Sequence, residues 1–178
     1  MEKFKEKTLY SNTVFQGNIL NVRVDQVKLP DENESTREIV EHSGGVTILP
    51  VTKNEEIIMV KQYRKPAEQV LLELPAGTLE TAEIPEKCAQ RELIEETGYK
   101  TDNMKKLFSF YTSPGYSDEL LHLFAGEVYK YQEQDLDEGE FVEVVIINKS
   151  DIMDLISSNK IQDGKTIMGL LYYLHNGI

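Results

Sequence analysis

Basic residues, cysteines and long apolar runs are all scarce in this chain of 178 residues, and each scarcity removes a class of protein. Nineteen lysines and arginines stand against 31 aspartates and glutamates, a formal net charge of −12. A surface that acidic repels a phosphate backbone or an anionic leaflet, which argues against nucleic-acid and membrane partners. A small anionic ligand stays open, provided that local cations or a bridging metal meet it. Cys88 is the only cysteine, so no intrachain disulfide can form. The longest purely aliphatic run, Val144 to Ile147, falls far short of the roughly 18 residues of a membrane helix. The charged start, Met1 to Thr8, has no apolar signal-peptide core. A cytoplasmic protein is expected. No repeat, phosphate-binding P-loop, dinucleotide glycine motif or nucleophile elbow is present. His42, His122 and His175 lack metal-ligand spacing, and Cys88, among small residues on a helix, reads as a packed thiol.

What is there suits one compact domain with a small appendage. Leu20, Val22 and Val24 alternate as in a half-exposed strand. Lys28 to Thr36 reads as a turn, and Arg37 to His42 returns as the second strand of a hairpin. Ser43-Gly44-Gly45 is the best boundary. It divides an N-terminal β-segment, residues 1–43, from an α/β domain, residues 44–178. Strands are expected at 46–51, 57–60, 70–74, 107–111, 120–128 and 141–147, with Pro75-Ala76-Gly77 as a stop. Pro85 to Thr97 reads as a helix with Pro at its first position and Gly98 just past its end. A short helix follows over 149–157. A third opens at the cap Asp163 and puts Ile167, Leu170, Leu171 and Leu174 on one stripe.

Chemistry concentrates between Gly77 and Tyr99. On the helix, Glu92 and Glu96 lie one turn apart, with Glu95 beside them. Three carboxylates on one stripe repel each other, and a hard divalent cation relieves that repulsion because it prefers oxygen ligands. A merely solvated acidic face is the plain alternative. Arg91 abuts the cluster, Glu83 precedes it, and Pro75-Ala76-Gly77 brings a strand end to the same neighbourhood. Strand end, glycine and acidic helix together can cradle phosphates.

These residues resemble a known family. Gly77, five residues, Glu83, seven residues, then Arg91-Glu92-Leu93-Ile94-Glu95-Glu96-Thr97-Gly98-Tyr99 is similar to the Nudix box at every fixed position. Tyr99 is a soft departure where the family has an aliphatic residue. The resemblance covers roughly Gly44 to Gly177. It implies an α/β fold of the α+β kind, an α/β/α sandwich around a mixed sheet, here with a small N-terminal antiparallel sheet. It also implies hydrolysis of a nucleoside diphosphate linked to another group. Pro114 stands 16 residues after Gly98 and is followed by Glu119. That spacing resembles the ADP-ribose pyrophosphatase branch, as do Arg37-Glu38-Ile39, Gln62-Tyr63-Arg64 and Leu72 to Gly77.

The resemblance carries roles residue by residue. Glu92, Glu96 and the Ala76 carbonyl are expected metal ligands, and Glu95 is a third ligand or a bridge to water. Glu83 pairs with Arg91 or supports the metal shell. The acidic loop Leu136 to Phe141 offers Glu138 as general base, with Glu119 and Glu95 as rivals, and Glu140 as a further ligand. Two or three Mg²⁺ ions, or Mn²⁺, are implied. Arg64 can clamp a phosphate or ribose, Glu73 can accept from ribose hydroxyls or an adenine amino group, and Arg37 and Glu38 can reach substrate. ADP-ribose is the implied substrate, with another nucleotide sugar such as GDP-mannose, or a non-catalytic sensor, as alternatives. Relatives exchange the N-terminal sheet between two subunits, which implies a homodimer, with Phe15 as a candidate stacking partner of adenine.

Overall fold

In the computed structural model, which describes residues 2–178, the first strand is one that the sequence pattern hides. Strand β1 (Lys7–Gln16) is exposed at all ten positions. It therefore has no buried face to impose an alternating pattern, although Thr, Tyr, Val and Phe favour extended backbone. It pairs antiparallel with β2 (Leu20–Lys28), which pairs with β3 (Glu34–His42). The expected two-stranded hairpin is thus a three-stranded sheet, and β3 starts at Glu34 rather than Arg37. These strands and Phe110–Leu121 form one of two compact units.

The second unit comprises Gly45–Ser109 and His122–Ile178. Strand β4 (Gly45–Val51) is buried throughout. It is followed by β5 (Glu56–Arg64), β6 (Gln69–Glu73) and β7 (Ala76–Thr78). The expected stop at Pro75-Ala76-Gly77 is only partly one: the chain breaks at Pro75 and then pairs with β4, Gly77 opposite Val46 and Ala76 opposite Thr47. Helix α1 (Pro85–Thr97) runs between the residues that proline and glycine chemistry marked. Gly98 closes it in the left-handed region, φ 69°, donating its N–H to the Ile94 carbonyl at 2.7 Å. A Cβ there would lie 2.2 Å from the Gln132 carbonyl oxygen, so only glycine fits.

Beyond it come β8 (Tyr99–Lys100), β9 (Lys105–Tyr111), β10 (Leu120–Glu127), β11 (Tyr129–Lys130) and β12 (Val142–Asn148). Helices α2 (Ile152–Ser157) and α3 (Gly164–Asn176) complete the chain. The strands form a seven-stranded mixed sheet of order β12-β5-β4-β10-β9, with β6 on β5 and β7 on β4, while β8 and β11 pair separately. Successive side chains of a strand point to opposite faces. Phe124 packs with Val46, Ile48, Ile58 and the α1 residues Cys88, Ala89 and Leu93. Its neighbour Leu123 lies beside Gly169 of α3. Helices α1 and α3 therefore cover opposite faces of the sheet, which is an α/β/α sandwich.

Helix α3 opens as expected, with Asp163 accepting the Thr166 N–H at 2.9 Å. Its buried face is rotated from the expected leucine stripe. Thr166, Gly169, Leu170 and Tyr173 face inward, and Leu171 is exposed. Gly169 moves the phase, because its missing side chain lets Leu74 lie against the helix backbone.

Candidate active site

Strand β7 and helix α1 bring their backbone and carboxylates together because glycine stands between them. A Cβ on Gly77 would fall 1.9 Å from the Glu92 Cδ and 2.0 Å from its Oε1. The missing side chain is thus the space into which the Glu92 carboxylate fits. One turn on, Glu96 is 5% exposed and its Oε2 accepts the Ala76 N–H at 3.0 Å. Burial pushes the Glu96 carboxyl up to about 8; the Ala76 N–H opposes this, and the fields of Glu92 and Glu140 add to it. Burial also raises Glu92, against the pull of Arg91, with Glu95 and Glu140 adding to the rise.

Arg91 organises the outer side of this cluster. Its Nε and Nη2 donate to the two Glu83 oxygens at 3.0 and 3.1 Å, and its Nη1 to Glu92 at 2.7 Å and Glu95 at 2.9 Å. The guanidinium holds Glu83 down at about 2. The expected Glu83–Arg91 pair is therefore present. Cys88, buried and pushed up to about 12 by that burial, is a packed thiol beside the Thr78 carbonyl.

The acidic loop is tied to the far end of α1. Gln134 Nε2 donates to the Glu96 carbonyl at 2.6 Å and to the Val142 carbonyl at 3.2 Å, and the Asp135 N–H reaches the Glu95 carbonyl at 2.9 Å. These donors satisfy carbonyls that a helix end leaves without partners. Glu138 and Glu140 follow on an exposed turn closed by the Glu140 N–H to the Asp137 carbonyl, 3.0 Å, with Gly139 at φ 89°. Sequence reasoning passed over Gln134, since a lone Gln in an acidic loop carries no pattern.

Arg64, half-exposed, pairs with the buried Glu73. Arg64 Nε and Nη2 each donate to a Glu73 oxygen at 2.8 Å, and Lys165 Nζ adds a contact at 2.5 Å. Glu73 is 1% exposed. Burial pulls its carboxyl up, but the two cations win and hold it below the usual range. Lys165 had no sequence signal: its partner Glu73 lies on a distant strand.

The remaining expected site residues lie in the first unit. Arg37 donates to both Glu6 oxygens, at 2.5 and 2.9 Å, and Glu38 is exposed. Ser113-Pro114-Gly115 is a turn, with the Ser117 N–H donating to the Ser113 carbonyl at 2.9 Å. Thr112 Oγ1 donates to Glu119 at 2.6 Å, and the Val40 N–H to the Tyr116 carbonyl at 2.7 Å. Pro114 and Glu119 are thereby fastened to the strand that carries Arg37 and Glu38. Phe15 stands exposed on β1.

The donor set fits a hard cation. Glu92, Glu96 and Glu140 repel one another, two of them are held above their ordinary range, and a backbone carbonyl, that of Ala76, belongs to the same strand end. Among the described residues no three acidic, His or Cys side chains are gathered tightly enough to enclose an ion alone. An open set suits Mg²⁺, which keeps several waters and takes further oxygens from substrate phosphates.

Such a site, a carboxylate cluster against a strand end on the helix of an α/β/α sandwich, is one that can hold a hard cation, and the comparisons with known proteins give its family. The chain belongs to the Nudix family: the NUDIX domain profile matches residues 41–167, and that of the nucleoside diphosphate sugar hydrolase N-terminal domain matches residues 6–40. It is 44% identical to a Bacillus subtilis (strain 168) protein named ADP-ribose pyrophosphatase, over 97% of this chain and 94% of that one. It is 42% identical to the methanol dehydrogenase activator of Bacillus methanolicus, over 95% and 92%. It is 37% identical to a GDP-mannose pyrophosphatase of Yersinia enterocolitica, over 82% and 81%. A crystal structure of an ADP compounds hydrolase superposes with a TM-score of 0.83 at 19% identity, covering 98% of this chain and 97% of that one, which shows a shared fold. The protein is a Nudix hydrolase.

Proposed function

We propose that this chain hydrolyses the pyrophosphate bond of ADP-ribose to AMP and ribose 5-phosphate, with two or three Mg²⁺ ions per site and Mn²⁺ as a substitute. The carrying observation is the mutually repelling pair of buried Glu96 and half-buried Glu92, seated against Ala76 and Gly77. The choice of ADP-ribose is supported by the likeness to the Bacillus subtilis pyrophosphatase over nearly the whole chain. Likeness to a GDP-mannose pyrophosphatase supports GDP-mannose as the second reading.

Glu92, Glu96, Glu140 and the Ala76 carbonyl hold the metal in this reading, and Glu95 is a further ligand or a bridge to water. When bound, the metal offsets the diphosphate charge and makes water a stronger acid. Arg91 keeps Glu92 and Glu95 in place through the bonds described above. Glu138, exposed and on a loop, takes the proton of the attacking water on its carboxylate; Glu119 and Glu95 are the competing assignments. The water oxygen bonds to one phosphorus as the bridging P–O bond breaks, so one water is consumed and two phosphate monoesters leave. Arg64 meets a phosphate with the guanidinium edge that Glu73 leaves free. Arg37, Glu38, Pro114 and Glu119 form a second substrate-binding group.

The N-terminal segment, residues 1–43, serves a homodimer that exchanges this sheet between subunits. Supporting this, Leu9, Tyr10, Val14 and Phe15 of β1 are exposed apolar side chains, and apolar patches of that kind mark interaction surfaces. A cytoplasmic setting fits the single, buried cysteine. The experiment is turnover of ADP-ribose with Mg²⁺ beside GDP-mannose, UDP-glucose, NADH and diadenosine polyphosphates, with EDTA and Glu96→Gln controls. AMP and ribose 5-phosphate formed fastest from ADP-ribose, and lost in both controls, is the expected result. Faster cleavage of GDP-mannose selects the second reading. Tight binding without turnover overturns both.

A further inference from the structure

Lys165 has no part in the reading above, yet its ammonium is built into the fold from two sides. The side chain is 12% exposed, with Nζ 2.5 Å from Glu73 Oε2 and 3.0 Å from Asp163 Oδ2. Asp163 in turn accepts from the Thr166 N–H at 2.9 Å and its Oγ1 at 2.6 Å. Thr166 Oγ1 accepts the N–H of Leu74, the residue after Glu73, at 2.8 Å. The start of α3 and the end of β6 are thus bolted together, and Lys165 spans the joint.

The charge arithmetic at this joint gives Lys165 a task. Arg64 lies four residues beyond Val60, the cross-strand neighbour of Glu73, so it shares a face of the ladder with that glutamate. Glu73 takes the Arg64 Nε and Nη2 donors, which leaves the Nη1 edge of a 40% exposed side chain for an anion. Were Arg64 the sole counter-ion of a buried carboxylate, a phosphate that drew it outward would strip Glu73 of its partner. Uncompensated buried charge is costly, so Arg64 would stay clamped. Lys165 supplies a second positive charge on Glu73 Oε2, and the field of Glu96 also reaches Arg64.

We infer that Lys165 is a positioning residue: as a second counter-ion of Glu73, it lets the Arg64 guanidinium turn toward a substrate diphosphate without leaving the buried carboxylate unpaired. The inference rests on the proposed pyrophosphatase reading for the identity of that anion.

Its test is calorimetric binding of the α,β-methylene analogue of ADP-ribose, with KM and kcat for ADP-ribose measured alongside, in wild type, Lys165→Met, Lys165→Arg, Arg64→Ala and the Arg64→Ala/Lys165→Met double variant. Hydrogen bonds to charged groups set the scale, so Lys165→Met should weaken analogue binding and raise KM about tenfold, with kcat changed by about twofold or less. Lys165→Arg restores most of the loss. The double variant binds no worse than Arg64→Ala alone, because Lys165 acts through Arg64. If Lys165→Met does not fold, Lys165→Gln replaces it, neutral but still able to donate to Glu73. Unchanged affinity and KM, a fall in kcat alone, or a double variant weaker than Arg64→Ala by a further factor of about ten overturns the inference. Wild type that binds the analogue in a Lys165-dependent way but cleaves nothing overturns the pyrophosphatase reading and leaves this one standing. Wild type that neither binds nor cleaves overturns both.

Discussion

Glu96 and Glu73 belong to the same unit and are both nearly sealed from solvent, 5% and 1% exposed, yet their partners set their carboxyls moving in opposite directions. Glu96 meets one backbone N–H and two like charges, and its carboxyl rises to about 8. Glu73 meets a two-pronged guanidinium and an ammonium, and its carboxyl is held below the usual range. One acidic site is left short of positive charge and the other is fully supplied. Burying a carboxylate is unfavourable in either place, so the one the fold leaves unsatisfied is the one that a cation brought from outside would stabilise. The supplied glutamate is paired within the fold; the unsupplied one sits in the proposed metal site.

Breaking the unsupplied site has the largest expected effect. Glu96→Gln keeps an acceptor for the Ala76 N–H but removes a charge, and kcat for ADP-ribose should fall by about 10³-fold, roughly 4 kcal/mol of barrier. Product formation under saturating Mg²⁺ checks it. Gly77→Ala tests the same site from the strand side. Its Cβ would meet the Glu92 carboxylate at 1.9 Å, so Glu92 must move, and activity should fall about a hundredfold while the protein still folds. Wild-type turnover in that variant would contradict the close packing of strand and carboxylate.

Breaking the supplied site should cost stability. Glu73→Ala leaves Arg64 and Lys165 facing each other without their anion, a loss of about 3 kcal/mol seen in denaturant midpoints. A smaller signature sharpens the contrast with pH. Because folding lowers the Glu73 pKa, its stabilisation is present above the ordinary value near 4.5 and is lost as pH falls through the folded value. Wild type should therefore lose melting temperature below pH 4.5 with a slope that Glu73→Gln lacks. Equal slopes would show that Glu73 is not held ionised by its two partners.

The legibility of these features in sequence follows the range of the interaction that makes them. Helix α1 could be read to the residue, because Pro85 and Gly98 act on their own backbone. The Glu92–Glu95–Glu96 stripe was equally plain, since helical spacing alone brings it together. The α3 cap at Asp163 is local as well. Strand β1 was hidden because all ten residues are exposed, and periodicity reports burial, not backbone extension. Strand β7 was hidden because a Pro-Ala-Gly run reads as a breaker until β4 offers it partners. Arg64 and Glu73 were singled out, but as groups facing substrate. Their mutual pairing depends on the β5–β6 register, and the Lys165 contact depends on where α3 docks. Neither leaves a trace in spacing.

A cation at Glu96 should relieve a carboxyl that the fold holds against its own preference. Thermal unfolding of wild type and Glu96→Gln, first in EDTA and then across a Mg²⁺ titration, tests it most directly. In EDTA near pH 9, above the raised Glu96 value, the variant should melt higher, by roughly 5 °C, since a buried charge worth on the order of 2 kcal/mol has been removed. Mg²⁺ should then raise the wild-type melting temperature and leave the variant unmoved, since only the native site of the wild type gains by binding. A wild type indifferent to Mg²⁺, together with a variant that melts lower in EDTA, would contradict the account.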